Sequence, residues 1–258
     1  MSNTRLSKAL VTIAAMALSA PAAAFITTHL FDGAGGCSGG GYGTRTCTNS
    51  DGTVKATAHA FTGDPSNTVV EGAFLGVYGG GLGVTYDGSD PKEDTGSPQH
   101  AMDNDGKFEF ILIDFGMGNS RILDKVVTGW VDVDADITVL AHSGAGVANP
   151  NNQNITGLTT NGWSLVGHYN GTSADSQAID VNAGNASSRY WLIGAYDPEF
   201  VPGPGQTTGS PSKDKYDYLK VYAIKWDKPS DAAEPATLLL LTAGLLAWLS
   251  SRRRTAPV

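Results

Sequence analysis

The sequence predicts an all-β fold, a single β-sandwich that is jelly-roll-like, and three observations point there. Between residues 53 and 226 the chain divides into about nine short runs rich in β-branched and aromatic residues, each bounded by Gly, Asn, Asp or Pro. No window in that stretch sustains apolar residues at i, i+3, i+4 and i+7, so no long amphipathic helix is expected there. Several runs, "FILI" at 110–113 among them, are apolar on both faces, as strands inside packed layers are. Spacing of this kind, without an internal repeat, suits one sandwich better than a solenoid or a pair of small domains.

The elements follow in order. The first 24 residues stand apart. Arg5 and Lys8 give a positive start, "ALVTIAAMALSA" a short apolar run, and three alanines ending at Ala24 the small-residue pattern a signal peptidase accepts. Cleavage after Ala24 is expected, leaving Phe25 at the new N-terminus. Next comes "CSGGGYGTRTC", holding Cys37 and Cys47, the two cysteines of the chain. In an exported protein such a pair forms one disulfide, worth about 2–3 kcal/mol for a loop this short.

The strand candidates then run from "TVKATAHAF" (53–61) and "AFLGVYGGGLGVTY" (73–86) to "KFEFILIDF" (107–115) and "LDKVVTGWV" (123–131). "DITVLAH" (136–142), "GWSLVGHY" (162–169), "SQAIDV" (176–181), "RYWLIGAY" (189–196) and "YDYLKVYAIKW" (216–226) complete the set. Residues 197–215 carry four prolines, which lack a backbone donor, and read as an exposed loop between the last two strands. The expected boundaries are a signal peptide over 1–24, a β-sandwich surface domain over 25–231 and a sorting tail over 232–258.

Charge excludes one class of partner. With Arg5, Lys8, Arg252, Arg253 and Arg254 set aside, 12 Lys and Arg face 25 Asp and Glu, a formal charge of about −13. A field of that sign repels nucleic acid, and divalent cations screen it. Asp outnumbers Glu 20 to 5, which suits turns and calcium sites alike.

Two acidic groups are therefore metal candidates, with calcium as the cofactor they raise. In "DVDAD", Asp132, Asp134 and Asp136 either line one face of a strand or, on a turn, wrap one cation. The EF-hand pattern is not met, because Ile137 stands where that loop needs glycine and Ser143 where it needs a bidentate Glu. In "DNDG", Asp103 and Asp105, with His100 nearby, form the second group, although the stretch is first of all a turn. The five histidines are scattered, and each reads as an ordinary polar or core residue. The aromatics crowding the last two strands are mostly core, and any exposed ones would stack on sugar faces. A hydrolase would need two carboxylates about 5–10 Å apart. Among 25 acids such a pair arises by chance, and no catalytic residue is assigned.

The last element is "EPATLLLLTAGLLAWLSSRRR" at 234–254. As a helix its apolar part, 236–251, measures about 24 Å against a hydrocarbon core of about 30 Å. It can halt export but makes a poor permanent anchor. The basic cluster holds the cytoplasmic side, leaving the acidic body outside. A motif at Glu234 and Pro235, an apolar stretch including Leu238, Leu239, Leu240 and Leu241, and Arg252, Arg253 and Arg254 resemble a PEP-CTERM sorting signal. The family's first Pro is here Ala233. The body is similar to the exosortase-dependent surface proteins of Gram-negative bacteria, through "SPQHAMDNDG" (97–106), "GWVDVDADITVLAH" (129–142), "GWSLVGHY" (162–169) and "SSRYWLIGAY" (187–196). These resemblances imply an exported, non-enzymatic surface or matrix protein whose partners are signal peptidase, an exosortase-type membrane enzyme and exopolysaccharide. It would be held in the inner membrane by its tail until processed, then delivered to the cell envelope, surface or matrix. A calcium-assisted carbohydrate-binding module is the alternative expectation, and a polysaccharide hydrolase the third.

Overall fold

The computed structural model describes residues 27–31, 37, 41–49, 52–62, 69–86, 100–202, 207–208 and 216–229. The strands are β1 (Thr27–Leu30), β2 (Gly41–Tyr42), β3 (Arg45–Asn49), β4 (Gly52–Thr62), β5 (Glu71–Gly72), β6 (Phe74–Tyr78), β7 (Gly81–Thr85) and β8 (Met102–Asp103). They continue as β9 (Lys107–Asp114), β10 (Ile122–Asp132), β11 (Ile137–His142), β12 (Trp163–Tyr169), β13 (Ala178–Asp180), β14 (Tyr190–Ala195), β15 (Thr207–Thr208) and β16 (Tyr218–Asp227). One 3₁₀ helix spans Ile155–Thr160.

Two sheets result. The first runs β13-β10-β16-β7-β6-β2, with β1 and β8 also on β16; the second runs β15-β12-β11-β14-β9-β4-β3, with β5 on β4. Their pairings are antiparallel except that two-residue β15 lies parallel to β12. The described residues therefore form an all-β body of two sheets. Period-two alternation explains the core between the sheets. Leu123, Val126, Leu219, Val221 and Ile224 of the first sheet meet Ile111, Ile113, Val139, Trp191 and Ile193 of the second.

The second sheet is apolar on both faces for a reason beyond the sandwich. Its outer face presents Phe110, Leu112, Leu140, Tyr190 and Leu192, and these form a second core with Ile155, Leu158 and Phe200. A third layer, the 143–161 connection with its 3₁₀ helix, covers that side. Asn154 starts the helix by accepting the Thr156 N–H at 3.0 Å, a side-chain N-cap. The 197–215 segment also departs from a plain exposed loop. Asp197 and Phe200 at its start are buried, and Thr207–Thr208 pairs with Gly167 and His168.

Strand register places the functional end. β10 and β16 pair along most of their length, with extra residues at Asp124 and at Gly129–Trp130 on β10 and at Tyr222 on β16. Such bulges raise local twist and re-aim side chains. The opposite edge of β16 takes β1, β7 and β8 in turn. Thr27 pairs with Trp226, so the first and last described strands leave the body at one end. Asp217, just before β16, lies at the other.

Cys37 and Cys47 are disulfide-bonded. They face each other across an isolated antiparallel bridge, both buried against the inter-sheet core.

Candidate functional site

Several connections meet at the end of the sheets away from the paired termini, and there the acidic residues collect. β10 ends at Asp132, and the chain crosses to the second sheet within four residues. The crossing is tight: the Asp134 N–H donates to the Asp132 carbonyl at 2.8 Å around Val133, whose φ is +64°. A β-branched residue at positive φ is sterically disfavoured, so this γ-turn is strained. It throws Asp134 and then Asp136 inward, and β16 brings Asp217 beside them. One ligand atom from each of Asp134, Asp136 and Asp217 lies within 4.8 Å of the others.

Hydrogen bonds hold these carboxylates. Asp217 Oδ1 accepts the Asp136 N–H at 2.8 Å, and Oδ2 accepts Asn104 Nδ2 at 2.7 Å. Asn104 Oδ1 in turn accepts the Asp217 N–H at 2.9 Å, and Nδ2 also donates to the Tyr196 carbonyl. Asp136 Oδ1 accepts the Gly171 N–H at 2.9 Å. Glycine is required at 171, because a Cβ there would overlap the Ala135 carbonyl oxygen. Asp134 Oδ1 accepts the N–H of Ala135 at 3.0 Å.

Asp136 and Asp217 are buried, while Asp134 is half-buried. Burial, reinforced by the charges of Asp136 and Asp134, pushes the Asp217 carboxyl up to about 8 against the bonds from Asp136 N–H and Asn104. Near neutrality the group keeps a proton or needs a cation. Hard carboxylate oxygens at this spacing suit calcium or magnesium, and Asp134, Asp136 and Asp217 would supply three ligands of such a shell.

The sequence candidates divide accordingly. Asp134 and Asp136 are in the cluster, on a turn rather than along a strand face, and Asp132 is not in it. Asp103 and Asp105 belong to the neighbouring turn. Asp103 Oδ1 accepts the Asp105 N–H at 2.9 Å, and Asp105 Oδ2 accepts the Tyr218 hydroxyl at 2.8 Å. Burial, with that bond adding to it, drives the Tyr218 phenol well above its ordinary range. His100 is elsewhere, bonded to Thr85 Oγ1 and stacked on Tyr78. Asp217, in "KYDYLK", carried no motif, since only the fold brings it to Asp136, 81 residues away in sequence.

A second buried carboxyl lies close by. Asp197 donates its N–H to Thr138 Oγ1 at 2.9 Å and accepts the Glu199 N–H, yet Oδ2 has no partner. Burial lifts it to about 7. Thr138 Oγ1 also meets His168 Nδ1 at 2.9 Å, and His168 Nε2 meets the Phe200 carbonyl. This network fastens the start of the 197–202 segment to β11 and β12.

Ala24, Glu234, Pro235, Leu238, Leu239, Leu240, Leu241, Arg252, Arg253 and Arg254 lie outside the described residues. Among the described residues no helix is long and apolar enough to cross a membrane. No family model matches the chain, and neither the curated proteins nor the solved structures compared with it gave a match.

Proposed function

We propose that this chain is an exported, non-enzymatic surface or matrix protein built on a jelly-roll-like sandwich. Its C-terminal segment holds it in the inner membrane until an exosortase-type enzyme processes it near Glu234–Pro235. It then joins the exopolysaccharide of the envelope. The reading is carried by one observation: a signal-peptide-like start and a PEP-CTERM-like end bracket a strongly acidic β body. Two features support it. A disulfide suits an oxidising compartment outside the cytoplasm. The pairing of Thr27 with Trp226 brings both ends of the described body out together, an arrangement compatible with a tether at that end. Mass spectrometry of the native mature protein tests it, with Phe25 expected at the N-terminus and a C-terminus near Glu234. A native chain that still carries Arg252, Arg253 and Arg254 would overturn it.

A second reading, calcium-assisted binding of carbohydrate, is favoured by the convergence of Asp217 on Asp134 and Asp136. Calcium at 100 times its dissociation constant would stabilise the protein by about 2.7 kcal/mol, so melting should rise with calcium and fall with chelator. Asp217→Asn should abolish that response. An equal calcium shift in the variant would place the ion elsewhere.

A further inference from the structure

A buried histidine lies under the layer that covers the second sheet. His59 of β4 shares the outer face of that sheet with Phe110, its register partner on β9, and is 2% exposed. Its Nδ1 lies 2.6 Å from Asn151 Oδ1. A carboxamide oxygen only accepts, so Nδ1 carries the proton and Nε2 keeps its lone pair. Nε2 is buried and has no hydrogen-bond partner among the described residues. The imidazole fits this site only when neutral, because a second proton would place an unpaired charged donor in the interior.

Asn151 belongs to a turn, 149–153, that is fastened at few points. The Val70 N–H donates to the Gln153 carbonyl at 2.9 Å, and the Asn152 N–H donates to the Val70 carbonyl at 2.8 Å. Asn149 and Asn152 are exposed, Asn151 and Gln153 half-buried. The apolar anchors Ile155 and Leu158 come later, in the 3₁₀ helix. The turn can therefore lift while the helix stays seated.

Few charges surround the ring. The 143–161 layer contains no ionisable side chain. β5 places Gly72 opposite His59, and its neighbour Glu71 accepts the Tyr86 hydroxyl. Glu109 of β9 faces the other side of the sheet by alternation, where its carboxylate accepts the Asp103 N–H. On the face of His59 itself, Lys55 and Asp114 follow four residues further along the paired strands. His142 touches the opposite end of the layer, where a Cβ at Gly144 or Gly162 would come within 3.0 Å of its Nε2. Burial holds the His59 imidazole down at about 4, against the Asn151 bond, which raises it.

We propose that His59 is an acid-sensitive latch: neutral, it holds the 149–153 turn down through Asn151, and protonated, it releases that turn from Val70. Once the turn lifts, the ring meets water and titrates near its ordinary 6.5, well above its value when covered. The open form thus takes up the proton first as pH falls. Between pH 8 and pH 5 the opening equilibrium should rise about thirtyfold.

Hydrogen exchange of the full-length chain in detergent tests this, read as protection factors at the Val70 and Asn152 amides from pH 8 to pH 5. The wild type should lose protection about thirtyfold. His59→Gln, neutral throughout and able to donate to Asn151, should lose less than about threefold. His142→Gln should keep the wild-type step. Asn151→Ala covers the case in which His59→Gln does not fold: without the latch partner, protection should already be low at pH 8 and the acid step smaller. An undiminished step in His59→Gln would overturn the latch, as would no step in the wild type or a step lost in His142→Gln. So would protection at Val70 and Asn152 equal to that of Leu192 at every pH, since only global unfolding would then expose the turn.

Discussion

Val133 and Asp217 show how single residues hold the carboxylate end under tension. Val133 is 48% exposed and contributes little packing, but its positive φ opposes its β-branched side chain. Val133→Gly should raise stability by about 1 kcal/mol, a denaturant-midpoint measurement, because the strain removed exceeds the added chain entropy. Asp217 makes stability depend on pH. Its folded value of about 8 exceeds that of an unfolded Asp, so the unfolded chain releases its proton first as pH rises. The contribution is therefore fully present below about pH 4 and lost as pH climbs through 8. In chelator, melting followed from pH 5 to 8.5 should fall more steeply for the wild type than for Asp217→Asn. Equal slopes would mean that Asp217 is ionised in the folded state. Asp134 and Asp136 were visible from their alternate spacing. The membership of Asp217 was not, because one Asp beside tyrosines has no local signature.

At the scale of elements, strand runs were legible wherever both faces are buried or the alternation is clean. β4, β9, β10, β11, β12, β14 and β16 fall within a residue or two of the runs marked by composition. The two-residue strands β2, β5, β8 and β15 were not legible, since they form only where a longer partner offers an edge. The run at 73–86 is two strands, β6 and β7, joined by a turn through Gly79 and Gly80. Aromatic crowding near the C-terminus was legible as core: Trp191, Tyr196, Tyr218 and Trp226 are buried, whereas Tyr216 is exposed. The layer over the second sheet was the main omission, because 143–161 is polar and turn-rich apart from the few residues it inserts. Leu158 is one of these, fully buried from the 3₁₀ helix. Leu158→Ala should cost about 2–4 kcal/mol, measured by denaturant unfolding, if that layer belongs to the cooperative unit. A loss under 0.5 kcal/mol would mean that the layer opens independently.

For the whole molecule, the excess of acid sets the response to solution conditions. A formal charge of about −13 on the body repels itself, and added monovalent salt should raise melting until screening is complete near a Debye length of about 8 Å. Melting that ignores salt between 10 and 150 mM, a range in which that length shortens from about 30 Å, would show the charges too dispersed to matter. The position of β16 has a mechanical consequence. This ten-residue strand ends at Asp227 and is hydrogen-bonded to β10 on one edge and to β1, β7 and β8 on the other. Ladder bonds run perpendicular to strands, so a pull on the chain beyond Asp227 loads both seams in shear, and many bonds must rupture together instead of unzipping singly. Force entering the body through the end of β16 would thus meet the paired sheets along their most rupture-resistant axis.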